Sequence, residues 1–450
     1  MYVETLADFY ANINIKDIPE TVVRKARVTL FDFLTVLSAG KYDSDFIEII
    51  RRYLDSRTEA EESTILGMNV KKSAQTAALV MGMISHGVEL DDGHRHGTCH
   101  PAVAIIPAVL AEGERAESSF EEMLKAIIIG YDCMLRAARA INPSHLRRGF
   151  HTTGTCGALG AGAAAASLRK YDREKMAYSI SISGLQSAGF QEMLHGNPSI
   201  KALQPGKAAQ AGILSAELVG FGAKGPLSIF EGQHGWLKGM TDEYREEDLL
   251  GELGERWEIT NTYTKLYPTC RHCHAPIDMM IEIHKKGVSI SSIKKIILET
   301  YNIGIVEVGL IKQPKNFEEA MFSVSYGMAV ALKYGVARIK EMKASLTDEE
   351  ILRIASEVEI LEDDEMNKKY PKERGARVTV LLKNGEKIVL EQPIPKGEYD
   401  TPLTDEQYRH KAQSILEDNV DRARIQEIWN CIVEQECQCV EFEKIVGLMP

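Results

Sequence analysis

The 450-residue sequence predicts a mainly α protein: a large all-helical domain with a smaller α+β lid domain. Three observations carry that prediction. From Glu20 to Leu34, apolar residues recur at i, i+3, i+4 and i+7 spacing, and residues 73–88 and 101–112 repeat the pattern. Residues 154–167, Gly-Thr-Cys-Gly-Ala-Leu-Gly-Ala-Gly-Ala-Ala-Ala-Ala-Ser, are almost all small. After about residue 264 the texture changes to β-branched runs and turn signals.

The first helix with a clear start follows Pro19. The small-residue tract reads as a helix in a crowded centre. Each of its glycines costs about 1 kcal/mol in a helix interior, and close helix–helix approach is the simplest compensation. Residues 206–220 repeat the theme. Ser179–Gly184 reads as helix or a helix boundary. Beyond residue 264, Ile293–Tyr301 is a strand candidate and Ala320–Tyr334 a helix. Ala376–Leu390 is a hairpin whose Asn384-Gly385 pair suits a type I′ turn. From Asp405 to about Val446 the pattern is helical again. The expected division is therefore 1–264 with 396–450 as the helical domain, and 265–395 as the lid.

Bulk composition narrows the function. Hydrophobic residues make up 44% and charged residues 26%, ordinary values for a soluble globular protein. A formal charge of −12 argues against a nucleic-acid binder. No run is long and apolar enough to suggest a membrane partner. The first residues lack a basic n-region and an apolar h-region, so a cytoplasmic protein is expected. Eight cysteines in a chain of this length are no disulfide framework. Cys431, Cys437 and Cys439 read as reduced, structural thiols in a helical pattern.

Chemistry concentrates in two stretches. Lys265-Leu-Tyr267-Pro268-Thr-Cys270-Arg271-His272-Cys273-His274 holds four nitrogen-bearing ionisable side chains and two thiols. Glu89-Leu-Asp91-Asp92-Gly93-His94-Arg95-His96-Gly97-Thr98-Cys99-His100-Pro101 holds three carboxylates, three imidazoles and an arginine. Cores do not bury such groups unpaired. If the two stretches meet in one cleft, it binds an anion and moves protons. Cys270-x-x-Cys273-His274 has the letters of a haem-attachment motif, but that chemistry belongs to exported proteins. Zinc on Cys270, Cys273 and His274 lacks a second ligand pair of standard spacing, since His94, His96 and His100 do not supply one. No metal and no cofactor are expected. Nucleotide-binding glycine loops, nucleophile elbows and H-E-x-x-H are missing from the sequence. Lys201 and Lys207 bracket a turn leading into a small-residue helix, where an anion is favoured. His151, with Thr152 and Thr153, directly precedes the glycine-rich helix.

In this order, the segments resemble the MmgE/PrpD family of 2-methylcitrate dehydratase, cis-aconitate decarboxylase and iminodisuccinate epimerase. The residues carrying the resemblance run nearly end to end. They are Ile18-Pro19 with Asp32; His86 to His94 with His100-Pro101; Gly149-Phe150-His151-Thr-Thr-Gly; and Lys201…Gly206…Ala208-Ala209…Gly212. Gly225-Pro226…Phe230-Glu231-Gly232…Gly235 follows, then Lys265…Tyr267-Pro268…Cys270…His274…Ile277-Asp278, Phe322-Ser323…Tyr326…Ala331-Leu332, and Pro402-Leu403-Thr404. The resemblance implies a helical large domain, an α+β lid, a homodimer and a site between the domains. It also implies a small polycarboxylate substrate. Carried over position by position, it marks Glu89, Gly93, His100, His151, Lys201, Lys265, Cys270 and Tyr326.

Two departures fall where substrate identity would be read. The family commonly shows Asp where this chain has Glu89, and Thr where it has Gly93. The loop from Asp92 to His100 is also one residue longer than the decarboxylase pattern, with Arg95 and His96 added. The expected reaction is metal-independent proton transfer next to a carboxylate, with dehydration of a hydroxy di- or tricarboxylate preferred. Epimerisation and decarboxylation are the alternatives, and loss of the Thr weighs slightly against decarboxylation. A protein of another class, a Cys/His metal binder or a catalytically silent binding protein, is also compatible with the clusters. His100 and His151 are the expected acid and base, in either order, with Glu89 or Asp92 orienting an imidazole and Lys265 and Tyr326 completing the catalytic group. Lys201, Lys207, Arg271, Arg95, Cys270, His274 and Gly93 are expected to contact substrate.

Overall fold

The computed structural model describes residues 1–43, 46–68, 70–194 and 198–434. Cys437 and Cys439 lie outside them. The chain divides into two compact units. The first comprises Met1–Gly87, Asp91–Thr262 and the segment from Leu416; the second comprises Val88–Leu90 and Tyr263–Ile415.

The first unit is helical. Its centre is the helix Thr152–Leu168, in which every residue is buried. The helices Phe120–Ile141, Leu203–Gly220, Ala102–Arg115 and Arg173–Leu185 pack around it. The small residues make this possible. A Cβ added at Gly212 would stand 2.4 Å from Ala161 Cβ and 2.5 Å from the Gly162 nitrogen. One at Gly160 would stand 2.4 Å from the Gly130 carbonyl oxygen. The tract's helix-propensity cost is thus offset by backbone-to-backbone packing that larger residues would forbid. Ser119 and Glu122 form a capping box at the start of Phe120–Ile141. Near the chain's end, helix Arg422–Ile432 joins this unit through Trp429, whose ring meets Phe31 edge-on at 5.0 Å. A short antiparallel pair, Ser63–Ile65 with Val70–Lys72, completes the unit.

The second unit is built on a four-stranded sheet, ordered Val358–Glu362, Ile293–Thr300, Ala376–Leu382, Lys387–Gln392. The first pair is parallel and the other two are antiparallel. Ile296, Leu298, Val378 and Val380 are buried, and helix His274–Lys285 packs on the strands Ala376–Leu382 and Lys387–Gln392 and against helix Val324–Tyr334.

Three expectations are corrected. The hairpin is not a two-residue type I′ turn. Leu382 N–H donates to Glu386 O and Gly385 N–H to Leu382 O, so Lys383-Asn384-Gly385 form a three-residue loop, with Gly385 alone at positive φ (92°). The helix expected over Ala320–Tyr334 is broken into Phe317–Met321 and Val324–Tyr334, because the Ser323 side chain caps the second piece by accepting from Tyr326 N–H. The border expected at residue 395 falls inside the second unit. Thr264 explains this: its N–H donates to Gly397 O and its hydroxyl bonds the Tyr408 hydroxyl, while Lys411 Nζ donates to Leu90 O.

Among the described residues no helix is long and apolar enough to cross a membrane.

Candidate active site

In the first unit, the sequence assembles a histidine cluster from three helix ends. His86 closes helix Ala74–His86, whose start is capped by Ser73. His100 ends the loop that feeds helix Ala102–Arg115. His151 stands at the N-cap of the central helix. The rings of His86 and His100 lie 5.3 Å apart, and those of His86 and His151 lie 6.4 Å apart. Asp91 links two of them, since its Oδ2 is 2.9 Å from His86 Nδ1 and 3.2 Å from His100 Nδ1. His100 Nδ1 also lies 2.7 Å from Asp92 O, and its backbone N–H donates to Thr153 Oγ1. A backbone carbonyl only accepts, so His100 Nδ1 carries a ring proton.

The tautomer of His151 is fixed by Gln204. Gln204 Nε2 donates to Phe190 O at 3.0 Å, which turns Gln204 Oε1 toward His151 Nδ1. An amide oxygen only accepts, so Nδ1 carries the ring proton and Nε2 the lone pair. Burial pushes the imidazolium of His151 well below the ordinary 6.5, and the Lys201 ammonium, His86 and His100 push the same way. Lys201, at the end of the 3-10 turn Pro198–Ala202, is buried beside this ring. Lys207, by contrast, is exposed and donates to Gln210 Oε1. The structure separates the two lysines that the sequence brackets together.

Asp92 has a different task. Its Oδ1 accepts from Ala102 N–H at 3.0 Å, at the start of a helix, and its Oδ2 accepts from the Tyr131 hydroxyl at 3.0 Å. Burial, with Asp91 alongside, raises its carboxyl to about 7 against the favourable Ala102 contact. Gly93 and His94 are buried. His94 is taken up by Glu258 at 3.1 Å. Burial alone would raise Glu258, but His94 and Arg139 bring it down to about 2. Arg95 is also buried, and burial, with His94 and Arg139, lowers His96 to about 4.

The second unit gathers the other stretch. Lys265 Nζ donates to Glu89 Oε2 at 2.8 Å, with both side chains almost fully buried. Glu89 sits at φ 51°, a left-handed conformation rare for this residue type. Cys270 lies 3.8 Å from Glu307 Oε2, and burial and that carboxylate push its thiol up to about 12. Arg271 spends its donors inside the protein: on Glu398, on the Pro395 and Lys396 carbonyls, and on His274 Nδ1. Its guanidinium also lies over the Tyr263 ring. Burial and this guanidinium keep His274 neutral. Tyr326 is fully buried and donates its hydroxyl proton to Met342 O at 2.6 Å. Arg271, His274 and Tyr326 therefore serve the packing of this unit, with no donor left over on Tyr326 for a substrate.

His86, Asp91 and Gln204 are the members that sequence reasoning left without a role. His86 had a signal, standing five residues before Asp91 in the densest acidic and imidazole stretch. Gln204 had none, because nothing local pairs it with a residue 53 positions away.

Comparison with known proteins agrees with this organisation. The chain is 23% identical over 460 residues to the cis-aconitate decarboxylase-like protein oryM of Aspergillus oryzae, covering 96% of this chain and 94% of the relative. It is 24% identical over 452 residues to a cis-aconitate decarboxylase of Aspergillus terreus, covering 94% and 91%. The MmgE/PrpD N-terminal domain matches residues 4–247 and the MmgE/PrpD C-terminal domain residues 267–435, so this chain belongs to the MmgE/PrpD family.

Proposed function

We propose that this chain is a lyase that removes a proton from a carbon next to a carboxylate of a small polycarboxylate, and that the step it drives is loss of a β-hydroxyl as water. The observation that carries this reading is a neutral imidazole with its lone pair on Nε2, His151, grouped with a carboxylate-held imidazole, His100, and a buried ammonium, Lys201.

The chemistry follows from charge. Deprotonation beside a carboxylate places a second negative charge on that group, and a fixed cation stabilises it. Lys201 supplies the cation. His151 Nε2 takes the proton, and the C–H electron pair becomes the new C=C bond. The C–O bond to the β-hydroxyl breaks as His100 Nε2 gives it a proton, and water leaves. His100 enters this step as the imidazolium, with the Asp91 carboxylate as its counter-ion, and ends neutral, while His151 ends as the imidazolium, so the charge on the pair is unchanged. A positioned acid or base contributes roughly 10²–10⁴-fold each. Dehydration uses both imidazoles; decarboxylation needs one acid and the cation.

The names of the Aspergillus relatives favour decarboxylation as the second reading. Gly93 in place of the family's Thr weighs the other way. Incubation with 2-methylcitrate, citrate, cis-aconitate and iminodisuccinate in D₂O separates the reactions. Loss of water supports the proposal, CO₂ release supports the second reading, and deuterium uptake without net conversion points to epimerisation. Turnover of none of these and of no wider carboxylate panel removes the enzyme reading.

A further inference from the structure

Cys270, His272 and Glu307 converge in the second unit. Their ligating atoms all lie within 4.8 Å of one another. His272 Nε2 stands 3.1 Å from Glu307 Oε2, and Cys270 Sγ stands 3.8 Å from the same oxygen. A tetrahedral zinc ion with ordinary bond lengths places such donor atoms about 3.4–3.6 Å apart, so small side-chain adjustments bring all three to bonding distance. We propose that these three side chains form a zinc site, distinct from the Cys270–Cys273–His274 set suggested by spacing.

The chemistry of the set selects the metal. A thiolate, an imidazole and a carboxylate suit zinc, whereas magnesium and calcium require oxygen donors. The bound thiolate and carboxylate together carry two negative charges, which cancel the ion's +2. His272 Nδ1 is hydrogen-bonded to the Tyr301 hydroxyl, the kind of outer contact that fixes the ring of a metal-bound histidine. Binding releases the thiol proton to solvent. The imidazole proton moves from Nε2 to Nδ1, where it is donated to the Tyr301 oxygen, and the Nε2 lone pair goes to the metal. Three protein ligands leave the fourth position for water. Glu307 is 30% exposed in its side chain, which gives an ion a route in from solvent. Cys273 is fully buried and does not belong to the converging set.

The full-length protein is treated with a chelator, dialysed, and titrated with ZnCl₂ against a chromophoric competitor and, separately, with CoCl₂. One equivalent of zinc is expected, with a thiolate-to-cobalt charge-transfer band for the cobalt form. Cys270→Ser should abolish the band, and His272→Ala and Glu307→Gln should each weaken zinc binding more than about tenfold. Cys273→Ser should change neither, and Glu307→Gln, at a partly exposed position, keeps the test independent of folding. The proposal is overturned if no stoichiometric zinc binds, or if binding survives Cys270→Ser and Glu307→Gln unchanged.

Discussion

Asp92→Asn tests the electrostatics of the first unit through its stability. The carboxyl is raised from 3.8 to about 7, chiefly by burial, with Asp91 adding to it. Between about pH 4 and 7 the folded protein therefore holds a proton on Asp92 that the unfolded chain has lost. Stability from this group is full below the unfolded value and lost as pH rises through the folded one. At about 1.36 kcal/mol per pH unit, the rise amounts to about 4 kcal/mol in total, of which about 2 kcal/mol falls between about pH 5.5 and 7. Asparagine removes the titration and keeps both partners: its oxygen accepts from Ala102 N–H, and its amide donates to the Tyr131 oxygen, which reverses that hydrogen bond. The assay is urea unfolding followed by tryptophan emission. Trp236, Trp257 and Trp429 all belong to the first unit, so the signal reports that unit. Wild type should lose about 2 kcal/mol relative to Asp92→Asn as pH goes from about 5.5 to 7.5, with groups common to both proteins cancelling. A difference that stays constant across that range refutes the assignment of Asp92 as a buried carboxyl with a raised pKa.

Four further outcomes follow from the same structure. His151→Gln should lower kcat/KM by roughly 10²–10⁴-fold, and in wild type the acid limb of the kcat/KM profile should fall well below pH 6.5, where burial and Lys201 keep the ring unprotonated; an acid limb at 6.5 or above speaks against His151 as the base. Gly212→Ala should cost about 1–3 kcal/mol by chemical denaturation, because the 2.4 Å approach to Ala161 Cβ outweighs the helix-propensity gain. Gly239→Ala, in open space on a helix, should be neutral or stabilising by up to about 1 kcal/mol; if both alanines behave alike, close packing is not what the glycines provide. Lys265→Met should cost about 3–5 kcal/mol, read by calorimetry as an earlier transition, since it strands the buried Glu89 carboxylate; Lys265→Met with Glu89→Leu should recover most of that loss.

The sequence was most legible where a physical rule is local. The 3.6-residue apolar period located helices near 20–43, 74–86 and 102–115, and the small-residue tract announced the fully buried helix Thr152–Leu168. Where competing local interactions decide, it was less so. Ser323 could continue a helix or cap one, and only its bond to Tyr326 N–H shows which. Asn384-Gly385 suits several loop lengths, and the Leu382–Glu386 pairing chooses three residues. The dense polar stretches signalled chemistry, yet density did not separate the roles within them. Arg271 and His274 are consumed by Glu398 and by each other, whereas Cys270 and His272, one residue away on either side of Arg271, turn toward Glu307.

Taken alone, the order of residues determined the two-part helical and α+β character, the family, and which stretches hold titratable groups, because each depends on patterns read along the chain. Only the tertiary structure decided that His151 carries its lone pair on Nε2, that Asp91 joins His86 to His100, and that Lys201 is buried while Lys207 faces solvent. Tautomer, charge and burial are set by neighbours such as Gln204 and Phe190, which packing brings from far along the chain into a medium where each hydrogen bond and each charge weighs more than in water.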